Sequence, residues 1–241
     1  MTTLSLLAAG LLVCTTASAQ LPQTRLTSVF PAGAKAGTSV DFTLAGGTDL
    51  DEVDRLLFSH PGISAVLKSP NVFTVTVKPD VPPGDHEVRA AGLYGLSNPR
   101  TFVVGARMEA IEVEPNDTAD KPMPLEFEKV INGKSDRETD VDFYKFTGKK
   151  DQRILAVCEA LRIDSRFAAS LELFAGTRRI AHTKSGVRRD AVLDVTLPSD
   201  GEYILQVHDV TFRGGAELFY RLTLTTGPHL DYIMPPAGAP G

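Results

Sequence analysis

The strongest constraint on this chain is a two-residue alternation of apolar and polar side chains, repeatedly cut short by turn-forming residues. Val40, Phe42 and Leu44 alternate with polar neighbours, as do Phe73, Val75 and Val77. Side chains that return to one face at every second residue define a strand with one buried side. Between these runs lie Ala45-Gly46-Gly47, His60-Pro61-Gly62, Ser69-Pro70-Asn71 and Pro82-Pro83-Gly84, all with turn or loop chemistry. The same alternation returns in Phe143 to Phe146, Leu171 to Phe174, Val192 to Leu197, Tyr203 to Val207 and Leu218 to Leu224. No segment carries a convincing helical period, and 20 glycines, 16 prolines and no tryptophan suit short strands joined by turns. The pattern predicts an all-β chain of two antiparallel β-sandwich domains in tandem, with about seven and about eight strands.

The boundaries follow from composition. Leu4 to Val13 is an apolar run too short to span a bilayer, and Ala17-Ser18-Ala19 is the small-x-small pattern of a signal-peptidase site. Residues 1–19 are therefore expected to be a signal peptide, 20–25 a linker, 26–105 the first sandwich, 106–111 a second linker and 112–227 the second sandwich. Phe30-Pro31-Ala32-Gly33-Ala34-Lys35-Ala36-Gly37 is echoed by Met234-Pro235-Pro236-Ala237-Gly238-Ala239-Pro240-Gly241. Residues 228–241 are accordingly expected to open a further, truncated repeat of the first module. The chain is expected to be a monomeric front portion of a longer exported polypeptide: periplasmic, cell-surface or secreted. Cleavage after Ala19 would remove Cys14 and leave Cys158 within Ile154-Leu155-Ala156-Val157-Cys158, a buried thiol rather than a nucleophile. No later stretch is apolar over the length of a transmembrane helix. A net charge of −5 gives no reason to expect nucleic acid as a partner.

One stretch carries chemistry. From Glu112 to Asp142 there are ten carboxylates against four bases, a local charge of −6 that exceeds that of the whole chain. Its dense part is Glu112-Val113-Glu114-Pro115-Asn116-Asp117, joined later by Asp140-Val141-Asp142. In an extended segment Glu112, Glu114 and Asn116 project to one face. Calcium takes about six to eight oxygen ligands, and these side chains with Asp117 and the returning Asp-x-Asp would supply most of them. The alternative is a solvated acidic linker without metal. Elsewhere Arg178, Arg179, Lys184, Arg188 and Arg189 form a basic run, read as a solvated hairpin tip rather than a polyanion patch. The five histidines show no metal-ligand spacing, and there is no Gly-x-Ser-x-Gly elbow, phosphate loop or dinucleotide fingerprint.

Two resemblances add to these expectations. Val29-Phe30-Pro31 followed by Ala36-Gly37-Thr38-Ser39-Val40, then Pro83-Gly84-Asp85-His86-Glu87-Val88 and Gly95-Leu96-Ser97-Asn98-Pro99, resemble the IPT/TIG-type bacterial immunoglobulin-like modules. Glu114-Pro115-Asn116-Asp117, Gly133, Asp140 to Phe146, Pro198-Ser199-Asp200-Gly201-Glu202-Tyr203 and Tyr220-Arg221-Leu222, in that order, resemble the bacterial pre-peptidase C-terminal domain. That family is a jelly-roll type sandwich appended to secreted peptidases and other exported proteins. It is similar to the collagen-binding domains of bacterial collagenases, whose acidic N-terminal segment binds calcium. The resemblance implies Glu112, Glu114, Asn116, Asp117, Asp140 and Asp142 as calcium ligands, with Ser135 a further candidate. Ser165-Arg166-Phe167-Ala168 and His182-Thr183-Lys184 stand where many members carry more aspartates, so a further acidic site is not expected there.

The function expected is therefore non-catalytic: a binding and spacer pair at the front of a larger protein, with calcium fixing the angle between sandwiches. Its partner would be an extracellular protein or a polysaccharide. The alternative is a substrate-presenting accessory to a secreted peptidase or other hydrolase whose catalytic domain lies outside this chain.

Overall fold

The structure, a computed structural model, describes residues 21–187, 189–230 and 234. The expected signal peptide, the Arg188 member of the basic run and most of the second repeat copy lie outside them. In chain order the first strands are β1 (Arg25–Phe30), β2 (Gly33–Lys35), β3 (Ser39–Thr48), β4 (Val53–Phe58), β5 (Ile63–Ser69), β6 (Val72–Val77), β7 (Gly84–Gly92), β8 (Gly95–Leu96) and β9 (Arg100–Gly105). There follow β10 (Met108–Ile111), β11 (Met123–Pro124), β12 (Lys129–Lys134), β13 (Val141–Gly148) and β14 (Arg153–Glu159). After a single 3-10 turn at Leu161–Ile163 come β15 (Ala169–Ala175), β16 (Arg178–Lys184), β17 (Ala191–Thr196), β18 (Gly201–Asp209) and β19 (Phe219–Thr225). The described chain is thus all-β.

The strands form four sheets, ordered β1-β3-β6-β5, β2-β9-β7-β4 with β8 on β7, β10-β12-β19-β14-β17, and β11-β13-β18-β15-β16. The first two sheets enclose a core around Phe42, Phe73, Phe102, Val75 and Val88, with Phe42 and Phe102 edge to face at 5.7 Å. The other two enclose Tyr144, Leu171, Leu173, Leu205, Leu222 and Leu224. Cys158 is a fully buried member of this second core, and burial drives its thiol pKa well up.

Two details differ from the sequence expectation. Pairing is antiparallel throughout except at three sheet edges, where β2 runs parallel to β9, β10 to β12 and β11 to β13. These segments are two to four residues long, too short to show an alternation of their own. Met108–Ile111, expected within a linker, is itself a strand, paired with Lys129–Asn132. Its four residues, Met108-Glu109-Ala110-Ile111, show no clean alternation, and within it Glu109 is gripped by an arginine far along the chain.

That arginine belongs to the seam between the two halves. A small apolar cluster joins Phe30, Ala32 and Val103 of the first half to Ile163 and Phe219 of the second. Around it Asp164 accepts hydrogen bonds from the backbone N–H and the hydroxyl of Thr101 at 2.8 and 2.9 Å, Arg162 pairs with Asp85 at 2.9 Å, and the Lys134 ammonium lies 4.5 Å over the Phe30 ring. Arg221, only 3% exposed, pairs with Glu109 at 2.5 Å and Glu159 at 3.0 Å. Arg221→Ala would strand two partly buried carboxylates and is expected to cost about 3–5 kcal/mol. Removing the exposed Arg153–Asp194 pair by Arg153→Ala is expected to cost under about 1 kcal/mol. Urea denaturation of the two variants side by side measures the difference.

Candidate metal centre

After Ile111 the chain keeps one more ladder bond, from the Glu112 N–H to the Asn132 carbonyl at 3.0 Å, and then leaves the sheet. It turns back on itself, with the Asn116 N–H donating to the Glu114 carboxylate at 2.9 Å. The Asn116 carbonyl accepts from the Phe143 N–H at 2.9 Å, which ties the acidic segment to the start of β13. Strand alternation alone therefore does not bring Glu112, Glu114 and Asn116 together. The turn does.

Glu112, Glu114 and Asp142 each place a carboxylate oxygen within 4.8 Å of the others, and so do Glu114, Asp117 and Asp140. Glu114 belongs to both groups, so five carboxylates form one continuous oxygen cluster. Asn116, 1% exposed, sits among them. With its amide nitrogen turned inward it donates to Glu114 Oε2 at 3.0 Å and Asp142 Oδ1 at 3.3 Å. With its oxygen turned inward it adds a neutral ligand atom to the acidic set. All six residues singled out in the sequence are thus brought to one place. Ser135 is committed elsewhere: its hydroxyl donates to the Arg213 carbonyl at 2.7 Å.

The floor of the cluster is a pair of buried tyrosines that sequence reasoning did not single out for this role. Tyr220 donates to Asp142 Oδ2 at 2.5 Å, and its oxygen lies 2.7 Å from that of Tyr144. Tyr144 lies 3.1 Å from Glu112 Oε2, whose other oxygen accepts from the Lys134 N–H at 2.5 Å. Tyr220 also lies 3.2 Å from Glu112 Oε2, so two hydroxyl protons serve four oxygen contacts, and Asp142 Oδ1 is left to the cluster. Their sequence signal is weak, because Tyr144 and Tyr220 are 76 residues apart and meet only once the strands pair.

Crowding of like charge shows in the protonation equilibria. Burial raises the pKa of Glu112 and of Asp142; the charge of Glu114 adds to both, and that of Glu112 adds to Asp142. Burial raises Asp140 and Glu114 as well, with neighbouring carboxylates adding to the effect. Arg137 is the cation at the rim, 2.7 Å from Asp117 and 3.6 Å from Asp140. Asp140 Oδ1, on a residue 2% exposed, has no hydrogen-bond donor. An all-oxygen donor set with excess negative charge and an orphaned buried carboxylate oxygen fits a hard divalent cation such as calcium. Nitrogen and sulfur ligands, which zinc favours, are absent from the two groups.

Gly133 is also explained by the site. A Cβ there would stand 2.3 Å from Tyr220 Cζ and 2.6 Å from Glu112 Oε2, so only hydrogen fits.

Comparison with known proteins does not assign the chain to a family. No family model matches the chain. A protein of Deinococcus radiodurans assigned as a subtilase-type serine protease is 34% identical over 104 residues, covering 39% of this chain and 14% of that protein. The chain therefore spans about a seventh of the length of the curated relative it matches. Among solved structures, the pre-peptidase C-terminal domain of a collagenase from Bacillus anthracis matches 50% of this chain and 99% of its own, with 15% identity and a TM-score of 0.34. A periplasmic inhibitor of g-type lysozyme from Aeromonas hydrophila matches 48% of this chain and 96% of its own, at 16% identity and a TM-score of 0.32.

Two outcomes are expected. With chelator present, the folded protein retains protons at Glu112 and Asp142 that the unfolded chain has already lost, so stability falls as pH rises through neutrality. Asp142→Asn, which keeps an acceptor for Tyr220, should flatten that fall and stabilise the chelated protein at neutral pH by on the order of 1 kcal/mol. Thermal unfolding across the pH range reads both. Gly133→Ala, in contrast, should destabilise by about 1–3 kcal/mol with or without calcium, because it overpacks the Tyr220–Glu112 contact.

Proposed function

We propose that this chain is a non-catalytic, exported pair of binding and spacer modules within a larger secreted or cell-surface protein. Calcium would be held by Glu112, Glu114, Asn116, Asp117, Asp140 and Asp142. The observation that carries this reading is the convergence of five carboxylates from two segments on a buried hydroxyl floor. When bound, the cation supplies the positive charge that the cluster lacks and holds Glu112 to Asp117 against the start of β13. Its effect would extend to the seam. Glu112 is bonded to the Lys134 backbone, and the Lys134 side chain rests on Phe30 of the other sandwich. A spacer whose two halves share an apolar seam and a buried ion triad transmits orientation as well as distance.

A second reading has its own support. The 104-residue likeness to a protein assigned as a subtilase-type serine protease favours an accessory module that presents substrate to a hydrolase domain outside this chain. Both readings place export and calcium in common, and they separate on the activity of the parent protein.

Thermal unfolding of the full chain in excess calcium and then in chelator tests the shared part. Calcium at a hundred times its dissociation constant adds about 2.7 kcal/mol, a rise of several degrees in Tm. Glu114→Ala and Asp117→Ala are each expected to abolish the rise. Superimposable curves across millimolar calcium would leave a sandwich pair with a metal-free acidic face.

A further inference from the structure

We propose that the outer face of the β11-β13-β18-β15-β16 sheet is a glycan platform, shaped for a neutral, β-linked pyranose chain; this names the ligand class of the binding module proposed above and rests on that reading. The inward residues of this sheet, Tyr144, Leu205 and Leu173 among them, build the second core. Alternation sends their neighbours outward, and the register fixes how they lie. Phe143 is opposite Gln206, Gln206 opposite Glu172, and Glu172 opposite His182, so four strands contribute one row. Val141, His208, Ser170 and Lys184 form the row on one side of it, and Lys145, Ile204, Phe174 and Arg179 the row on the other.

Three properties point to a sugar. First, the charges on the face are mostly satisfied from within. Arg179 pairs with Glu172 at 2.9 Å, Lys145 pairs with Glu202 at 3.2 Å, and His208 Nε2 lies 3.9 Å from Glu172. A face whose charges neutralise one another favours a neutral ligand over a polyanion. Second, Gln206 at the centre is partly buried and lies opposite Phe143 on one side and Glu172 on the other. It offers a planar donor–acceptor pair beside an anchored carboxylate, the arrangement that reads vicinal hydroxyls.

Third, an aromatic ring is held out at the edge of the face. Phe212 is 44% exposed and stacks on His208 with centroids 4.5 Å apart and planes 4° from parallel. Its φ of 54° lies in the left-handed region, which is costly for a bulky side chain. The surrounding loop enforces that conformation. Phe212 N–H donates to the Asp209 carbonyl at 2.8 Å, its carbonyl accepts from Thr139 N–H at 3.0 Å, and the buried Asp209 carboxylate accepts from Ala168, Thr211 and Arg213. A pyranose with equatorial substituents has C–H groups on its faces and hydroxyls around its rim. One face would cover the fixed ring of Phe212 while the rim meets Gln206 and Glu172. A β-linked chain is flat enough to lie along the rows.

The test is isothermal titration of the full chain with cellohexaose, xylohexaose and chitohexaose, with heparin and gelatin in parallel. Binding of at least one hexaose is expected. Phe212→Ala and Gln206→Ala should each weaken it by about tenfold or more with the fold retained, and Leu57→Ala on the other sandwich should leave it intact. The proposal is overturned if no hexaose binds at millimolar concentration, or if binding survives both face substitutions. Retention of heparin or gelatin alone, lost in Phe212→Ala, would equally overturn it and assign the face to a polyanion or a protein. None of these results touches the calcium-dependent shift in Tm, so failure here leaves the metal reading standing, and the reverse holds as well.

Discussion

The pleat of one strand organises most of this molecule. Phe219–Thr225 lies between β12 and β14, and its successive side chains must point to opposite faces. Tyr220, Leu222 and Leu224 turn inward, where they complete the second core and floor the acidic cluster. Phe219 and Arg221 turn outward, where they complete the seam to the first sandwich. A register shift of one residue would exchange these two sets, placing an arginine in the core and a tyrosine in the seam. Core, cluster and seam are therefore specified together by a single strand.

The coupling between cluster and seam is physical because the links are short and buried. Glu112 accepts from the Lys134 backbone, Lys134 rests on Phe30, and Gly133 between them has no room for a side chain because Tyr220 and Glu112 occupy it. On the other side Glu109, three residues before Glu112, is held by Arg221. The acidic segment is thus anchored at its N-terminal end by these links and near its other end by the Phe143 N–H bond to the Asn116 carbonyl, before any cation is considered. Preorganisation of this kind would reduce the ordering cost of binding a cation, since only a few side chains would need to settle.

Much of this was legible in the sequence, and the limits have clear causes. The strands of both sandwiches follow from alternation and turn residues, because those signals are local. The six acidic-cluster residues stood out because carboxylates at that density demand a reason to coexist. Tyr144 and Tyr220 could be assigned no role at the site, since their hydroxyls meet only after β13, β18, β15 and β19 have found their partners. Glu109 and Arg221, 112 residues apart, were hidden for the same reason. Met108–Ile111 read as a linker because four residues without a clean alternation carry no strand signal. Phe212 carried no signal at all, since nothing in its neighbours announces a left-handed backbone.

The place of β19 at the end of the second sandwich has a consequence for how the protein is made. Every element of the acidic cluster except its floor is synthesised early, between residues 112 and 142, yet Tyr220 emerges about eighty residues later. Until then Glu112 and Asp142 lack one of the hydroxyls that share their charge, the N-terminal sandwich lacks Phe219 against Phe30, and β12 and β14 have no strand between them. During translation the first sandwich can close on its own core while the second waits for its last strand. Native pairings that span so much sequence form slowly, so the second sandwich is the late-folding half, and its acidic cluster is completed only when its last strand closes.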